Sequence, residues 1–422
     1  MNIINNKILY FAYLLFLLIP LSLITGPFIP DLFLVIISLI FLFQILKEKN
    51  LILLKNKYFL LFIIFCLIIT IISIFSYNLS SLKSAIFYFR FGLFGMATFI
   101  LIKSNQQIFK SLFYLFIIIY SLLFIDTLYQ YYFSKNLLGF TYTNNIENFR
   151  ITSFFRDDEV LGSYVARFFP LVIFLFVLNT EFKSFKKRFI LISIIIIQSF
   201  TIVLFSGERT SLGLYLLSLC FIFFSSKKIR KILTIPMISI ILISLVTFSY
   251  SEKIKYRVIT TTINQLGLSS QSERFVLFSK TYEGHYLVAA KMFKEKPFFG
   301  HGPKMFRFFC DKDENFVAPN ACSTHPHNFY AQMFSELGLF GFLSLFTLFL
   351  FICFLFIKNL FFQLFKKKQF LSDEAICLLA FYFSILFPLL PSGNFFNNWL
   401  SIIIYYPLGF LIYSIKQKKF YA

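Results

Sequence analysis

Long apolar runs separated by short polar connections make up most of the chain. Runs of about 17–25 residues, long enough to cross a bilayer as a helix, fall near 8–25, 28–46, 58–76, 84–102, 108–133, 158–178, 188–206, 209–224, 232–250, 328–357, 373–392 and 395–415. This pattern predicts an all-α polytopic membrane protein of about twelve transmembrane helices. The first run lacks a small-residue cleavage site and is followed at once by a second span, so it reads as a helix and not as a signal peptide. No repeat, low-complexity linker or soluble domain breaks the pattern, and residues 1–422 read as one membrane domain. Composition agrees: 58% of positions are hydrophobic and 14% charged, more apolar surface than a soluble core can bury.

Charge then orients the chain. Lysine and arginine gather in alternate connections, around 47–57, 103–110, 183–188, 227–231, 366–368 and 416–419. The positive-inside rule makes these cytoplasmic, with both termini inside. The net charge of +21 is therefore a topology signal, and nucleic acid is not an expected partner. The opposite, external face owns residues 134–157, the turn Ser206-Gly207-Glu208-Arg209 and the long segment 251–327.

Three arginines break the charge pattern. Arg90 sits about two turns into the fourth span, Arg167 two to three turns into the sixth and Arg209 at the start of the eighth, all in the outer half of the membrane. Snorkelling to headgroups or convergence on one anion would each explain them. Glu208 is a possible partner for Arg209, and the start of the next helix would favour a nearby anion. Asp126 with Tyr129, Gln130, Tyr131 and Tyr132 reads as an aromatic belt or as a sugar-stacking surface.

All four histidines, His285, His301, His325 and His327, lie in the external segment. Residues 272–295 read as an amphipathic helix capped by Ser272 and ended by Pro297, with Arg274 and His285 near one face. His285 taken alone reads as a surface histidine. His325 and His327 lack the spacing of a zinc site, so no metal is expected. The next helix carries Asn328, Gln332, Ser335 and Glu336 as a polar stripe, which either glues helices or, as we favour, lines a substrate cavity. Cys66, Cys220, Cys353 and Cys377 fall in spans and read as packing residues. Cys310 and Cys322 share the external segment, either as free thiols or as a disulfide worth on the order of 3 kcal/mol in the chain-entropy model.

The run Pro297-Phe298-Phe299-Gly300-His301-Gly302-Pro303, then His325-Pro326-His327-Asn328-Phe329-Tyr330-Ala331-Gln332, then Glu336-Leu337-Gly338-Leu339-Phe340-Gly341 resembles the signature of the O-antigen ligase and O-antigen polymerase superfamily. The turn from Ser206 to Ser211 and Ser272-Glu273-Arg274 match its two arginine-bearing regions, and the resemblance covers residues 190–345. It implies a GT-C-type glycosyltransferase of the bacterial inner membrane with one large periplasmic loop, residues 251–327. Such an enzyme transfers a glycan from an undecaprenyl-pyrophosphate donor without metal, nucleotide or other cofactor. Carried over, Arg209 and Arg274 bind the donor pyrophosphate, His327 is the general base on the acceptor hydroxyl, and Asn328 orients the site. Arg167 and Arg90 are added candidates from their position alone. The expected acceptor is lipid A–core for a ligase or a second lipid-linked glycan for a polymerase, and a protein-glycosylating relative is a third possibility. From another class, a lipid-linked glycan transporter or flippase would suit twelve spans, but it would show paired interrupted helices that are not evident here.

Overall fold

The computed structural model describes residues 7–48, 55–142, 145–179, 184–268, 275–276, 279–417 and 420–421. Fifteen helices carry the fold, and the described residues form no β-strand. They are α1 Lys7–Ser22, α2 Phe28–Lys47, α3 Lys57–Ile74, α4 Leu79–Ile86, α5 Phe89–Ser104, α6 Gln107–Phe133, α7 Leu161–Leu178, α8 Phe185–Phe205, α9 Arg209–Ser225, α10 Lys227–Tyr250, α11 Lys280–Glu295, α12 Phe329–Phe365, α13 Asp373–Ile385, α14 Asn398–Tyr405 and α15 Leu408–Lys416. Among the described residues ten helical stretches are long and apolar enough to cross a membrane. In lipid every backbone group must be satisfied within the segment, so such runs become helices whatever their intrinsic propensity. Polar residues set their starts: Asn56, Asn78, Ser226, Ser372 and Asn397 each accept a backbone N–H in the first turn of the helix that follows.

Several boundaries differ from the periodicity. The fourth apolar run is two helices, α4 and α5, which part at Phe87 and Tyr88. Arg90 is therefore the second residue of α5, inside a candidate span that runs from Leu79 to Ser104. The run 373–392 is helical only to Ile385, and residues 386–397 return irregularly to the site. At 13 residues α13 is roughly 20 Å long, too short for hydrocarbon about 30 Å thick. It is buried nearly throughout and packs between α7 and α9, so protein surrounds it instead of lipid. The last run is also split, into α14 and α15, before Pro407. The amphipathic helix begins at Lys280 with Ser279 as its cap, since Phe275 and Val276 are not helical and Ser272 lies outside the described residues. A helical extension over 252–265, with a π-turn at Tyr256–Thr260, was not predicted.

The two ends of the bundle differ in kind. At one end the basic connections meet: Lys227 Nζ donates to the Lys367 carbonyl at 3.0 Å, Arg230 to Gln363 at 3.1 Å, and Ser226 to Asp373 at 2.6 Å. At the other end the 206–208 turn, the 386–397 return and the described parts of the connection after α6 and of the 252–328 segment fold over the helices. Asp126 and Gln130 tie down the connection after α6. Asp126 accepts from Leu137 N at 2.7 Å and Ser153 Oγ at 2.5 Å, and Gln130 accepts from Ser153 N at 2.7 Å. Both are fully buried, which removes them from any sugar-stacking surface, while Tyr132 stays exposed as belt residues do.

Candidate active site

His327 is fixed by its backbone. Its φ of 52° is left-handed, unusual for a residue with a side chain and found where surrounding structure enforces it. Its carbonyl accepts from Ser392 N at 2.8 Å, and the Ser392 carbonyl in turn accepts from His325 Nε2 at 3.3 Å. Asn328 caps α12, its Oδ1 accepting from Tyr330 N at 2.9 Å and Ala331 N at 3.2 Å, while its Nδ2 donates to the Pro388 carbonyl at 2.8 Å. Asn328 thus positions the histidine turn against the 386–397 return and keeps no free amide.

On the other flank α11 approaches. His285 Nδ1 donates to the Ala321 carbonyl at 2.7 Å, and Cys310 and Cys322 are joined as a disulfide with Cα atoms 5.1 Å apart. His285 is buried, contrary to the surface position expected of it, because it pins the chain that leads to His327. Around the His327 ring stand His325, Tyr282 and His285, with centroids 4.1, 5.5 and 5.3 Å away, and Ser323 Oγ lies 3.3 Å from its Nε2. Burial, helped by His285, pushes the His327 ring down to about 4, and burial with His327 beside it pushes His325 down to about 3. Both rings are neutral at pH 7 and able to accept a proton. His301 points elsewhere, donating from Nε2 to the Met292 carbonyl at 3.0 Å.

A cationic group adjoins this turn. Arg209 opens α9 and donates to Gln265 Oε1 at 2.7 Å and Thr262 Oγ1 at 3.4 Å. Glu208 does not pair with it. The Glu208 carboxylate accepts from Gly162 N at 2.6 Å, Ser163 N at 3.1 Å and Ser211 Oγ at 2.8 Å, capping the start of α7, where negative charge is favoured. Among the described residues Arg209 has no carboxylate partner. Arg257, from the π-turn, donates to the carbonyls of Gly207 at 3.4 Å and Glu147 at 3.0 Å. Burial, then Arg150 and Arg209, lower its guanidinium to about 10, against the pull of Glu159 and Tyr282, and it stays charged at neutral pH. Arg150 lies 3.5 Å from Glu159. Tyr282 is within electrostatic range of both Arg209 and Arg257. Sequence reasoning missed Arg150, Arg257 and Tyr282. A signal for the two arginines was present, since both are cations on the face where the positive-inside rule predicts few.

The remaining candidates separate. Arg274 lies outside the described residues. Arg90 is bidentate on Asp31, at 3.1 and 3.3 Å, and also donates to the Phe87 carbonyl at 2.7 Å, which makes it a bridge from α5 to α2. Arg167 is buried in α7, contacts Ser163, and lines a polar cavity together with His325. The polar stripe of α12 is taken up by internal packing. Gln332, Ser335 and Glu336 are fully buried, and Glu336 accepts from Lys304 N at 2.8 Å, Phe306 N at 3.2 Å and Gln332 Nε2 at 2.9 Å. Gln332 also donates to Asn394 at 3.1 Å and accepts from Phe395 N at 2.9 Å. The stripe is glue, because the turn after Pro297 brings unpaired N–H groups to it. That turn docks where α12 breaks at Gly338 (φ 61°, ψ −152°): Leu339 N donates to the Pro297 carbonyl at 2.7 Å and Phe340 N to the Phe298 carbonyl at 3.2 Å. A Cβ on Gly338 would strike the Phe298 carbonyl, and one on Gly300 would strike the Glu336 backbone.

Residues 189–346 match a family described as O-antigen ligase. No curated protein matches the chain. The match spans Arg209, the π-turn, α11, the histidine turn and the break at Gly338. That match supports the O-antigen ligase and polymerase superfamily for residues 189–346 of this multi-pass membrane protein.

Proposed function

We propose that the chain is a metal-independent, inverting glycosyltransferase acting at the periplasmic face of the inner membrane. It moves a glycan from an undecaprenyl-pyrophosphate donor to an acceptor hydroxyl, with ligation of O-antigen to lipid A–core favoured and repeat-unit polymerisation as the alternative. One observation carries this reading. Tyr282 stands 5.5 Å from the His327 ring and acts electrostatically on both Arg209 and Arg257, so a neutral base and a group of positive charges share one neighbour.

The chemistry follows from those roles. His327 takes the proton of the acceptor hydroxyl, whose oxygen forms a bond to the donor's anomeric carbon. The bond from that carbon to the pyrophosphate oxygen breaks, and its electron pair leaves on the lipid pyrophosphate. Arg209 and Arg257, with Arg150 beside them and Arg274 by its motif, stabilise that growing charge through charge-assisted hydrogen bonds. Pyrophosphate is already a good leaving group, so guanidinium groups suffice for what a metal would otherwise supply. A single displacement inverts the anomeric centre. The family match supports a ligase or polymerase type of function without separating the two.

The test is His327→Ala in cells that depend on the gene for surface polysaccharide. Glycan transfer that continues undiminished at normal protein level would remove His327 as the base. A deletion strain that loses all O-antigen from lipid A–core while long lipid-linked chains accumulate indicates a ligase. One that retains a single attached repeat indicates a polymerase.

A further inference from the structure

The arginines beside Tyr282 account for the donor, yet the reaction needs a second substrate whose hydroxyl reaches His327. A cavity of about 610 Å³ adjoins the histidine turn through His325, whose ring centroid is 4.1 Å from that of His327. Its walls include Arg167, Lys304, Arg307, Asn394 and Trp399, and no carboxylate lines it. Arg167 is only 6% exposed, and its Nε has no hydrogen-bond partner among the described residues. The Arg307 Nε is buried and unpartnered in the same sense. A buried guanidinium N–H without an acceptor is costly, so neither side chain is fully satisfied within the protein.

The carboxylates near enough to act on these cations are engaged elsewhere. Glu208 is held by Gly162, Ser163 and Ser211, and Glu336 by Lys304 N, Phe306 N and Gln332. Glu336 also holds Lys304 in a left-handed conformation (φ 60°), which fixes where its side chain starts. Trp399, the chain's only tryptophan, is anchored by its Nε1 donating to the Leu23 carbonyl at 2.9 Å, leaving an aromatic surface on the wall of a polar chamber. Cations on a wall that holds no carboxylate, beside an aromatic ring, are suited to an acidic sugar.

We infer that this cavity is the acceptor subsite and takes a sugar that bears a phosphate or carboxylate group. The inference rests on the transferase reading above. The acceptor hydroxyl then approaches His327 from the His325 side, while the donor diphosphate lies on the Tyr282 side. Arg167 and Arg307 act as acceptor-binding residues, and the Glu336-held turn sets Lys304 beside them.

The experiment uses membrane vesicles carrying the full chain, with donor and acceptor extracted from the same cells, and measures initial rates against each substrate. Arg307→Gln is expected to raise the acceptor KM about tenfold, the size of one lost charge-assisted contact, with the donor KM unchanged and Arg307→Lys restoring most of the loss. Arg167→Gln should do the same, but Arg307 lies in the short helical turn Phe306–Phe309, outside the long membrane helices, and is the safer variant for folding. With the unaltered protein, phosphatase-treated acceptor should lose affinity if the group is a phosphate, and carboxyl-reduced acceptor if it is a carboxylate. An unchanged acceptor KM in Arg307→Gln, a rise in donor KM alone, or full affinity for both treated acceptors would overturn the assignment. His327→Ala is run alongside. Turnover persisting in that variant defeats the base assignment and leaves the acceptor measurements readable.

Discussion

His327 is a histidine whose surroundings hold it neutral. A base at about 4 stays unprotonated across the physiological range, so kcat/KM should hold on acidification and fall only as pH drops through about 4. Bound diphosphate would favour the protonated ring, so the acid limb of kcat should sit at higher pH than that of kcat/KM. Coincident limbs near 6.5, the ordinary histidine value, would contradict the burial argument. Stability has the same sign. The folded-state pKa values of His325 and His327 are depressed, so their contribution is complete above about 6.5 and is lost as pH falls toward 4 and then 3. Thermal unfolding in detergent should therefore show Tm declining below pH 6.5, and His325→Asn should flatten that decline. On activity, His327→Gln should cost about 10²–10⁴-fold in kcat, the range for a lost general base, with donor binding retained. The proposed role comes from the resemblance that the His325-Pro326-His327-Asn328 motif carries. The left-handed backbone that aims the ring was not legible there, because it depends on Ser392, far away in sequence.

The element with the strongest constraint is α12, a helix interrupted at membrane depth. Irregular backbone is tolerated there only where protein satisfies it, and the turn after Pro297 does so at Gly338. Gly338→Ala should lower stability by on the order of 1–3 kcal/mol and displace that turn, since only glycine populates this φ/ψ region comfortably. Gly139→Ala is the control: φ is 89° but nothing lies within 4 Å of the added carbon, so backbone strain acts without a clash. Equal losses in Tm for the two variants would show that the contact with Phe298 contributes nothing. Apolar periodicity located α12 well but could not place the break, because Gly338 reads like any tolerated glycine until Phe298 is seen against it. The short α13 was overextended for a related reason: a run as apolar as 373–392 looks alike whether lipid or protein surrounds it.

For the whole molecule, the separation of basic connections from the histidine-bearing segment predicts opposite sides of the bilayer. In a chain with Cys66, Cys220, Cys353 and Cys377 replaced, a membrane-impermeant maleimide should label Asn145→Cys in intact spheroplasts and label Lys367→Cys only after lysis. The reverse pattern would invert the topology. The all-α class, the approximate spans and the sidedness all come from hydropathy and lysine placement, because a bilayer acts on each segment separately and its length and charge are local properties. What the local record could not contain is which polar groups meet. Glu208 caps α7 instead of pairing with Arg209. The α12 stripe packs internally and holds a turn. Arg150, Arg257 and Tyr282 join the arginine site, and Arg167 opens onto a separate chamber. Those outcomes depend on contacts between segments distant in sequence, where each buried donor takes the nearest acceptor that folding brings to it, and only the tertiary structure decided them.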